Sequence, residues 1–302
     1  MRAGEFCRQL LDRCSLKYRF KEIETFATKT ELFKGVDNEN KQFTKSFIGK
    51  NCLKLNDYLS LLYGEEFFPL VQLSVNFHEG DKRKATEDPY FKHIFYTSYL
   101  SYGLSKILEY DEKQTRIFVV AALFHDAIEM RKKTNPGFDA NDLLHQIIDQ
   151  GMDKAEAEKI FTIVSLLTPE PKEANMDMTL WMDRKNTDFG YIMKINGEQV
   201  NKKYVDLFGK NPLPDEETSL LAEMVKQIKI TDDTAILREI KDDITYKRDT
   251  KGEERNGIRT LDERFNAYKY RTDRIFELYN NHPLLKQMQS DLRFIQKHLR
   301  LS

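Results

Sequence analysis

Residues 117–129, IFVVAALFHDAIE, decide the fold that the sequence predicts. Ile117 to Phe124 is the longest continuous apolar run, and a helix without a polar face is expected to be buried on every side. Asp111 lies where it can cap the N-terminus of this helix, and the turn Asn135-Pro136-Gly137 would stop it. We therefore predict a central helix that runs from Ile117 through Glu129.

Apolar residues recur at three- and four-residue spacing on both sides of this helix, which is the periodicity of an amphipathic helix. The pattern predicts helices over residues 90–109, 142–150, 153–167 and 216–246, and two between 260 and 301 that divide at His282-Pro283. Residues 170–214 are less regular, and short helices are expected there. Thirteen glycines and eight prolines in 302 residues are fewer than an average chain carries, so turns are few. The sequence predicts an all-α helical bundle.

Charged stretches divide the chain into three parts. A charged loop follows His78, and KRDTKGEERNG at residues 247–257 interrupts the last helical pattern. We expect an N-terminal helical extension over 1–75, the main domain over 76–245, and C-terminal helices over 246–302.

The composition excludes several classes of partner. Lys and Arg number 48 against 49 Asp and Glu, so no general surface for a polyanion such as duplex nucleic acid is expected. The longest apolar run is far shorter than the roughly 20 residues that cross a bilayer, so no membrane partner is expected. Three cysteines without metal-ligand spacing fit a reducing compartment. We predict a soluble, cytoplasmic protein, and homo-oligomerisation stays open.

The dipeptide His125-Asp126 is the main chemical signal in the sequence. A carboxylate at the end of a buried helix is costly unless it is paired or bound to a cation. His93 lies on the apolar face of the preceding helix, and Asp232 lies in an otherwise apolar stretch. Two imidazoles and two carboxylates suit Mn²⁺, Fe²⁺, Zn²⁺ or similar ions and leave positions for water and substrate oxygens. The alternative is structural: a hydrogen-bonded pair, a core histidine and exposed helix charges.

Charged residues near the dipeptide suggest further roles. Glu129 follows His125 by four residues and Asp126 by three, so on one helix it would share their side and could orient a metal-bound water. Arg131 and Lys132 could contact a phosphate-rich ligand. A solvated helix end explains these two cations equally well.

Four segments of the sequence resemble the hydrolase domain of the RelA/SpoT family and of the small metazoan SpoT homologues. They are HEGDKRKATEDPYFKH (78–93), VVAALFHDAIE (119–129), IVSLLT (163–168) and KITDDTAILREI (229–240). The likeness spans residues 78–245, over half the chain. It implies the HD metal-hydrolase fold and metal-dependent removal of the 3′-pyrophosphate from (p)ppGpp, usually with Mn²⁺; Fe²⁺, Zn²⁺ and Co²⁺ are alternatives.

The resemblance also implies roles for individual residues. It gives His93, His125, Asp126 and Asp232 as metal ligands and Glu129 as a catalytic carboxylate. It also gives Arg83 and Lys84 as nucleotide contacts. Arg184, in the irregular segment, is a further substrate-binding candidate by position alone.

Two positions depart from the family pattern. The family's Glu-Asp pair is Glu129-Met130 here, and Ile236 stands where the family has an Asn near the nucleotide. A thioether can neither accept a proton nor orient water through a charge. Two alternatives follow: an HD-type 5′-nucleotidase or phosphodiesterase acting on another nucleotide, and a degenerate HD domain that binds a nucleotide or a partner protein.

Overall fold

The structure is a computed structural model, and it describes residues 58, 61, 64, 67–78, 81, 90–135, 137–168, 186–245 and 261–299. Over this part of the chain the regular structure is helical and contains no strand, which confirms the all-α prediction. The helices, in chain order, are α1 (Phe68–Phe77), α2 (Phe91–Ile107), α3 (Glu112–Phe124), α4 (Ala127–Thr134), α5 (Asn141–Asp149), α6 (Lys154–Leu167), α7 (Gly197–Phe208), α8 (Asp215–Thr245), α9 (Leu261–Leu278) and α10 (Leu285–Leu299). Within the described residues, no helix is both long and apolar enough to cross a bilayer.

The chain divides into two compact units, Met1–Val71 and Gln72–Ser302. The first unit has few described residues, so most of the predicted extension over 1–75 lies outside them. The second unit contains α2 to α10. In it α3 packs against α2 and α6, while the long helix α8 contacts α2, α6, α7 and α10. The helices α2, α3 and α8 therefore meet along one core.

The central helix forms for the reasons that the sequence gives. Its residues Ile117 to Phe124 are almost completely buried. Asp111 accepts a hydrogen bond from the Gln114 backbone N–H (2.7 Å), and the Gln114 side chain accepts one from the Asp111 N–H (3.1 Å). This reciprocal capping box confirms the predicted N-terminus.

The predicted C-terminus of the central helix is wrong. Helix α3 ends at Phe124, a turn at His125-Asp126 follows, and a separate helix, α4, begins at Ala127. Apolar periodicity continues across the turn, so the pattern alone could not reveal it. Helix α4 ends at Thr134, directly before the predicted turn.

The segment expected to be irregular contains α7, a helix of 12 residues. Asn196 and Gln199 form its capping box, and Gly209 ends it with a positive φ of 60°, a conformation that glycine adopts without strain. The remaining predicted helices agree with α2, α5, α6, α8, α9 and α10 to within a few residues at each end.

Candidate metal centre

His125 stands at the C-terminal end of α3 and is buried. Its Nδ1 lies 2.8 Å from the carbonyl oxygen of Ala122. Because a carbonyl only accepts, Nδ1 carries the proton, and the lone pair of the neutral ring is on Nε2. Nε2 is buried and makes no hydrogen bond to any described residue, although Asp126 Oδ2 is 3.2 Å away.

Asp126 occupies the N-cap position of α4 but does not cap it. An N-cap aspartate normally accepts a backbone N–H bond that contributes about 1 kcal/mol. The carboxylate instead accepts a 2.6 Å hydrogen bond from the Tyr90 hydroxyl on Oδ2, the same oxygen that faces His125. It also lies 3.9 Å from His93 Nε2. The turn after α3 therefore directs this carboxylate towards the two histidines rather than to the helix end.

His93 lies in the first turn of α2, and its side chain is buried. Its Nδ1 is 3.0 Å from Glu239 Oε1 on α8, so Nδ1 donates to this carboxylate and Nε2 faces the other side. Such a carboxylate behind a histidine fixes the ring orientation in metal sites. Glu239 is absent from the predicted set, yet its spacing was a signal, since it follows Asp232 by seven residues, two helical turns on one face.

Asp232 contributes the second carboxylate from α8. Its Oδ1 lies 3.1 Å from His93 Nε2 and 3.9 Å from His125 Nε2, while its Oδ2 accepts a hydrogen bond from Lys229 Nζ. One ligand atom from each of His93, His125 and Asp232 lies within 4.8 Å of the others, which is close enough to hold one metal ion. Asp126 is outside this group of three, but its Oδ2 lies 3.2 Å from His125 Nε2 and 3.9 Å from His93 Nε2, so the four predicted ligands are neighbours. We call these four residues the histidine–aspartate centre.

Both carboxylates of the centre are held ionised. Burial alone would raise the pKa of Asp126, but the neighbouring His125 outweighs burial and holds that pKa well below its usual value. Burial likewise opposes the charge on Asp232, and Lys229 is the main cause that lowers its pKa instead. For His125, burial lowers the pKa and Asp126 raises it, with a net increase. Each carboxylate therefore already faces a basic side chain: Asp232 faces Lys229, and Asp126 faces His125.

A protonated His125 and a divalent cation at Nε2 are the two ways in which this site could carry further positive charge. A protonated Nε2–H would donate to Asp126, but the ring is not aligned for that hydrogen bond despite the short N–O distance. A lone pair on Nε2, aimed between carboxylate oxygens, is the arrangement of a metal ligand. The donor set of two imidazole nitrogens and two carboxylates fits a first-row divalent ion.

The centre is open at one side. The Asp126 side chain is 21% exposed, whereas His93, His125 and Asp232 are 1%, 4% and 9% exposed. Tyr90, which holds the Asp126 carboxylate, is half-buried on the same side. Asp126 is therefore the most exposed of the four residues.

The other predicted site residues have separate positions. Glu129 lies half-buried in the first turn of α4, so the argument that it shares one helix face with His125 is wrong. Arg131 donates to the backbone oxygen of Asn76 (2.5 Å) and stacks over Phe77, and Lys132 is exposed. Arg83, Lys84 and Arg184 lie outside the described residues.

Three contributors to the centre were missed by the sequence analysis: Tyr90, Lys229 and Glu239. Tyr90 precedes His93 by three residues, the spacing of neighbours on a helix, and this was an available signal. His78, expected to be structural or exposed, is buried and stacks on the Tyr90 ring at 5.4 Å. Burial lowers the pKa of His78, and neither of its ring nitrogens hydrogen-bonds a described residue.

The chain was compared with known protein families, curated proteins and solved structures. No protein-family model, no curated protein and no solved structure matches the chain.

Proposed function

We propose that this chain is a metal-dependent phosphohydrolase that acts on a phosphorylated nucleotide. The sequence resemblance favours one substrate, guanosine-3′,5′-bis(diphosphate) (ppGpp), from which the enzyme would remove the 3′-pyrophosphate. One observation carries the proposal: the buried Nε2 of His125 has no hydrogen-bond partner among the described residues and faces the same point as His93, Asp126 and Asp232. Such a donor set is suited to a hydrolytic divalent ion. Mn²⁺ is the first choice because the family that the sequence resembles usually uses it.

The residues of the centre have distinct parts in this proposal. A divalent ion, when bound, acidifies a water ligand and polarises a phosphoryl oxygen. His93, His125, Asp126 and Asp232 would hold it. Glu239 and the Ala122 carbonyl keep both rings in the tautomer with Nε2 available. The Tyr90 hydroxyl donates to Asp126 Oδ2 and so keeps this carboxylate directed towards His125.

Glu129 is the residue proposed to accept the proton of the attacking water. It lies three residues beyond Asp126, half-buried in the first turn of α4. Its neighbour Met130 is half-buried as well and carries no acid. A single carboxylate therefore has to orient the water, and Glu129→Gln should lower kcat by at least about 100-fold while metal affinity changes little.

Binding without turnover is the second candidate function. Met130 and Ile236 are both half-buried and apolar, at positions where the resembling family has an acid and an amide. Replacing polar groups near a nucleotide weakens catalysis more than it weakens a metal site formed by other residues. A degenerate domain that senses a nucleotide or holds a partner would retain the centre and lose hydrolysis. A nucleotidase or phosphodiesterase with another substrate is the remaining alternative.

One experiment distinguishes these functions. The purified chain is assayed with Mn²⁺ against a panel of nucleotides that includes ppGpp, AMP-like monophosphates and cyclic nucleotides, alongside His125→Ala and Asp126→Ala. The proposal expects turnover that both substitutions abolish. Tight nucleotide binding without turnover, across several metals, would favour the binding protein. Met130→Asp sharpens the result, because a gain of ppGpp hydrolysis would identify this position as the defect.

Metal content and turnover that survive His125→Ala and Asp126→Ala unchanged would contradict the proposed site. Turnover of AMP-like substrates without turnover of ppGpp would retain hydrolysis and replace the proposed substrate.

A further inference from the structure

A row of four charged residues, of which Lys229 alone is half-buried and the others are buried, connects helix α9 to the metal-ligand candidate Asp232. Arg271 Nη1 on α9 lies 2.9 Å from Asp233 Oδ1 on α8. Lys229 Nζ lies 3.2 Å from the same Asp233 oxygen and also hydrogen-bonds Asp232 Oδ2. Positive and negative charges alternate along this row, in the order Arg271, Asp233, Lys229 and Asp232.

Asp233 and Arg271 are withdrawn from water, whereas the Lys229 side chain is 18% exposed. The Asp233 side chain is 0% exposed and that of Arg271 is 4% exposed. Asp233 Oδ2 has no hydrogen-bond partner among the described residues, so Oδ1 carries the interactions of this carboxylate with the two cations. A buried charge that loses its partner is strongly unfavourable, so each member of the row depends on the next.

Lys229 is shared by two carboxylates, and this sharing links the ends of the row. Lys229 Nζ lies within ion-pair distance of carboxylate oxygens of both Asp232 and Asp233. Arg271 supplies the second cation that Asp233 needs. If Arg271 were neutral, Asp233 would have Lys229 as its cation and would draw it away from Asp232 Oδ2.

The position of Arg271 is itself fixed by aromatic side chains. Its guanidinium carbon lies 5.0 Å from the centre of the Tyr268 ring and 5.8 Å from that of Phe189. A guanidinium stacks on aromatic faces better than an ammonium does, so Lys at this position would retain the charge but lose part of the alignment.

We propose that Arg271 is a positioning residue for the metal centre, acting on Asp232 through Asp233 and Lys229. By neutralising Asp233, Arg271 leaves Lys229 with Asp232 Oδ2, and Asp232 Oδ1 then faces the two histidines. The inference rests on the proposed function, because it takes Asp232 as a metal ligand. It makes the C-terminal helix α9 part of the support of the centre.

The test measures Mn²⁺ affinity of the full chain by calorimetry, without nucleotide. The variants are Arg271→Met, Arg271→Lys and the double variant Asp233→Asn with Arg271→Met. Arg274→Met is the matched control, because Arg274 lies on the same helix in an exposed ion pair with Glu277. Arg271→Met should weaken Mn²⁺ binding by about 10- to 100-fold, the usual effect of losing a residue behind a metal ligand. Arg271→Lys should weaken it less.

The double variant is the decisive arm of this test. It removes the charge of Asp233 together with Arg271, so Lys229 has no reason to leave Asp232, and Mn²⁺ affinity should return to within about threefold of the wild type. If Arg271 acted only through packing, removing the charge of Asp233 would not restore Mn²⁺ affinity. A double variant that binds as weakly as Arg271→Met overturns the proposal, and so does a folded Arg271→Met that binds like the wild type.

A second readout is independent of metal. In metal-free crystal structures, Lys229 Nζ should contact both Asp232 Oδ2 and Asp233 Oδ1 in the wild type and lose its contact with Asp232 in Arg271→Met. A Lys229 that keeps the Asp232 contact in Arg271→Met overturns the inference. If Arg271→Met does not fold, Arg271→Gln replaces it with the same two expected results. Wild-type protein that binds no divalent ion would contradict the proposed function. The position of Lys229 in Arg271→Met would still show whether Arg271 controls the contact between Lys229 and Asp232.

Discussion

His125 and His282 are both buried histidines beside α8, and they differ in the partners of their ring nitrogens. His282 is satisfied on both sides: its Nε2 lies 2.7 Å from Gln227 Oε1, and its Nδ1 accepts from the Leu284 backbone N–H at 3.1 Å. His125 has the Ala122 carbonyl on Nδ1, and its buried Nε2 has no hydrogen-bond partner in the described part of the chain.

The pKa values of the two rings move in opposite directions. Burial lowers the pKa of His282 to about 4, since no carboxylate opposes it. Burial acts in the same direction on His125, but Asp126 outweighs it and raises the pKa. Burial alone therefore identifies neither a structural nor a functional histidine. The unpartnered nitrogen and the adjacent carboxylates make the difference, and each prediction below tests a consequence of it.

The largest expected effect is the loss of metal binding on removal of the unpartnered nitrogen. His125→Gln should weaken Mn²⁺ binding by more than about 100-fold, because a candidate ligand is lost rather than its support. His282→Gln is the matched control and should leave Mn²⁺ affinity unchanged. Calorimetric titration of both variants checks this, and equal affinities would remove the distinction between the two histidines.

The next largest effect on Mn²⁺ affinity is expected from Glu239, the carboxylate that accepts from His93 Nδ1. Glu239→Ala should weaken Mn²⁺ binding by about 10- to 100-fold, because the His93 ring loses the acceptor that fixes its tautomer. Glu239→Gln retains an oxygen acceptor and should lose less. The same titration applies, and an affinity as low in Glu239→Gln as in Glu239→Ala would show that the acceptor is not what matters.

The pH dependence of stability tests the other histidine. The folded pKa of about 4 lies below the unfolded value of 6.5, so the unfolded chain binds more protons between these values and folding stability falls as the pH falls. From these two pKa values, the loss of folding free energy attributable to His282 should be about 2 kcal/mol between pH 7 and pH 5. The physical reason is that a protonated Nδ1 can no longer accept the hydrogen bond from the Leu284 N–H.

Urea unfolding of the wild type and of His282→Gln at pH 7 and pH 5 measures this loss as the difference between the two proteins. Identical pH slopes would contradict a satisfied, neutral His282.

The smallest effect concerns the two aspartates at helix N-termini. Asp111 caps α3, so Asp111→Ala should lower the free energy of unfolding by about 1 kcal/mol and leave Mn²⁺ affinity unchanged. Asp126 makes no cap bond, so Asp126→Ala should remove Mn²⁺ binding without that loss of a cap. Denaturant unfolding in the presence of a chelator compares them. A larger capping loss for Asp126 than for Asp111 would contradict the assignment.

Local sequence signals predicted the parts of the molecule that local interactions determine. The Asp111 cap, the apolar run to Phe124 and the division near His282-Pro283 follow from residues close in sequence. The break at His125-Asp126 could not be predicted, because the apolar pattern continues through it. The interaction that accompanies the break is tertiary: the hydroxyl of Tyr90, the residue before α2, donates to the Asp126 carboxylate, which then does not cap α4.

The sequence predicted the candidate ligands of the site, but it did not predict the charged residues that position them. Buried carboxylates beside histidines imply a cation, and this reasoning named His93, His125 and Asp232, whose ligand atoms lie within 4.8 Å of one another, together with Asp126, whose Oδ2 lies 3.2 Å from His125 Nε2. Lys229 and Arg271 could not be assigned from the sequence, because an exposed and a buried cation look alike until the helices are packed. The Arg271–Asp233 pair depends on α9 meeting α8, since these residues are 38 positions apart, whereas Lys229 pairs with two aspartates on its own helix.

The measurement that tests the central claim most directly is the amount of Mn²⁺ bound per chain at saturation, in the wild type and in Asp232→Asn. Asp232→Asn removes one anionic ligand at nearly constant volume. The account predicts one tightly bound ion per chain in the wild type and binding at least about 100-fold weaker in the variant. Wild-type protein that binds no divalent ion, or an Asp232→Asn variant that binds it equally well, would contradict the account.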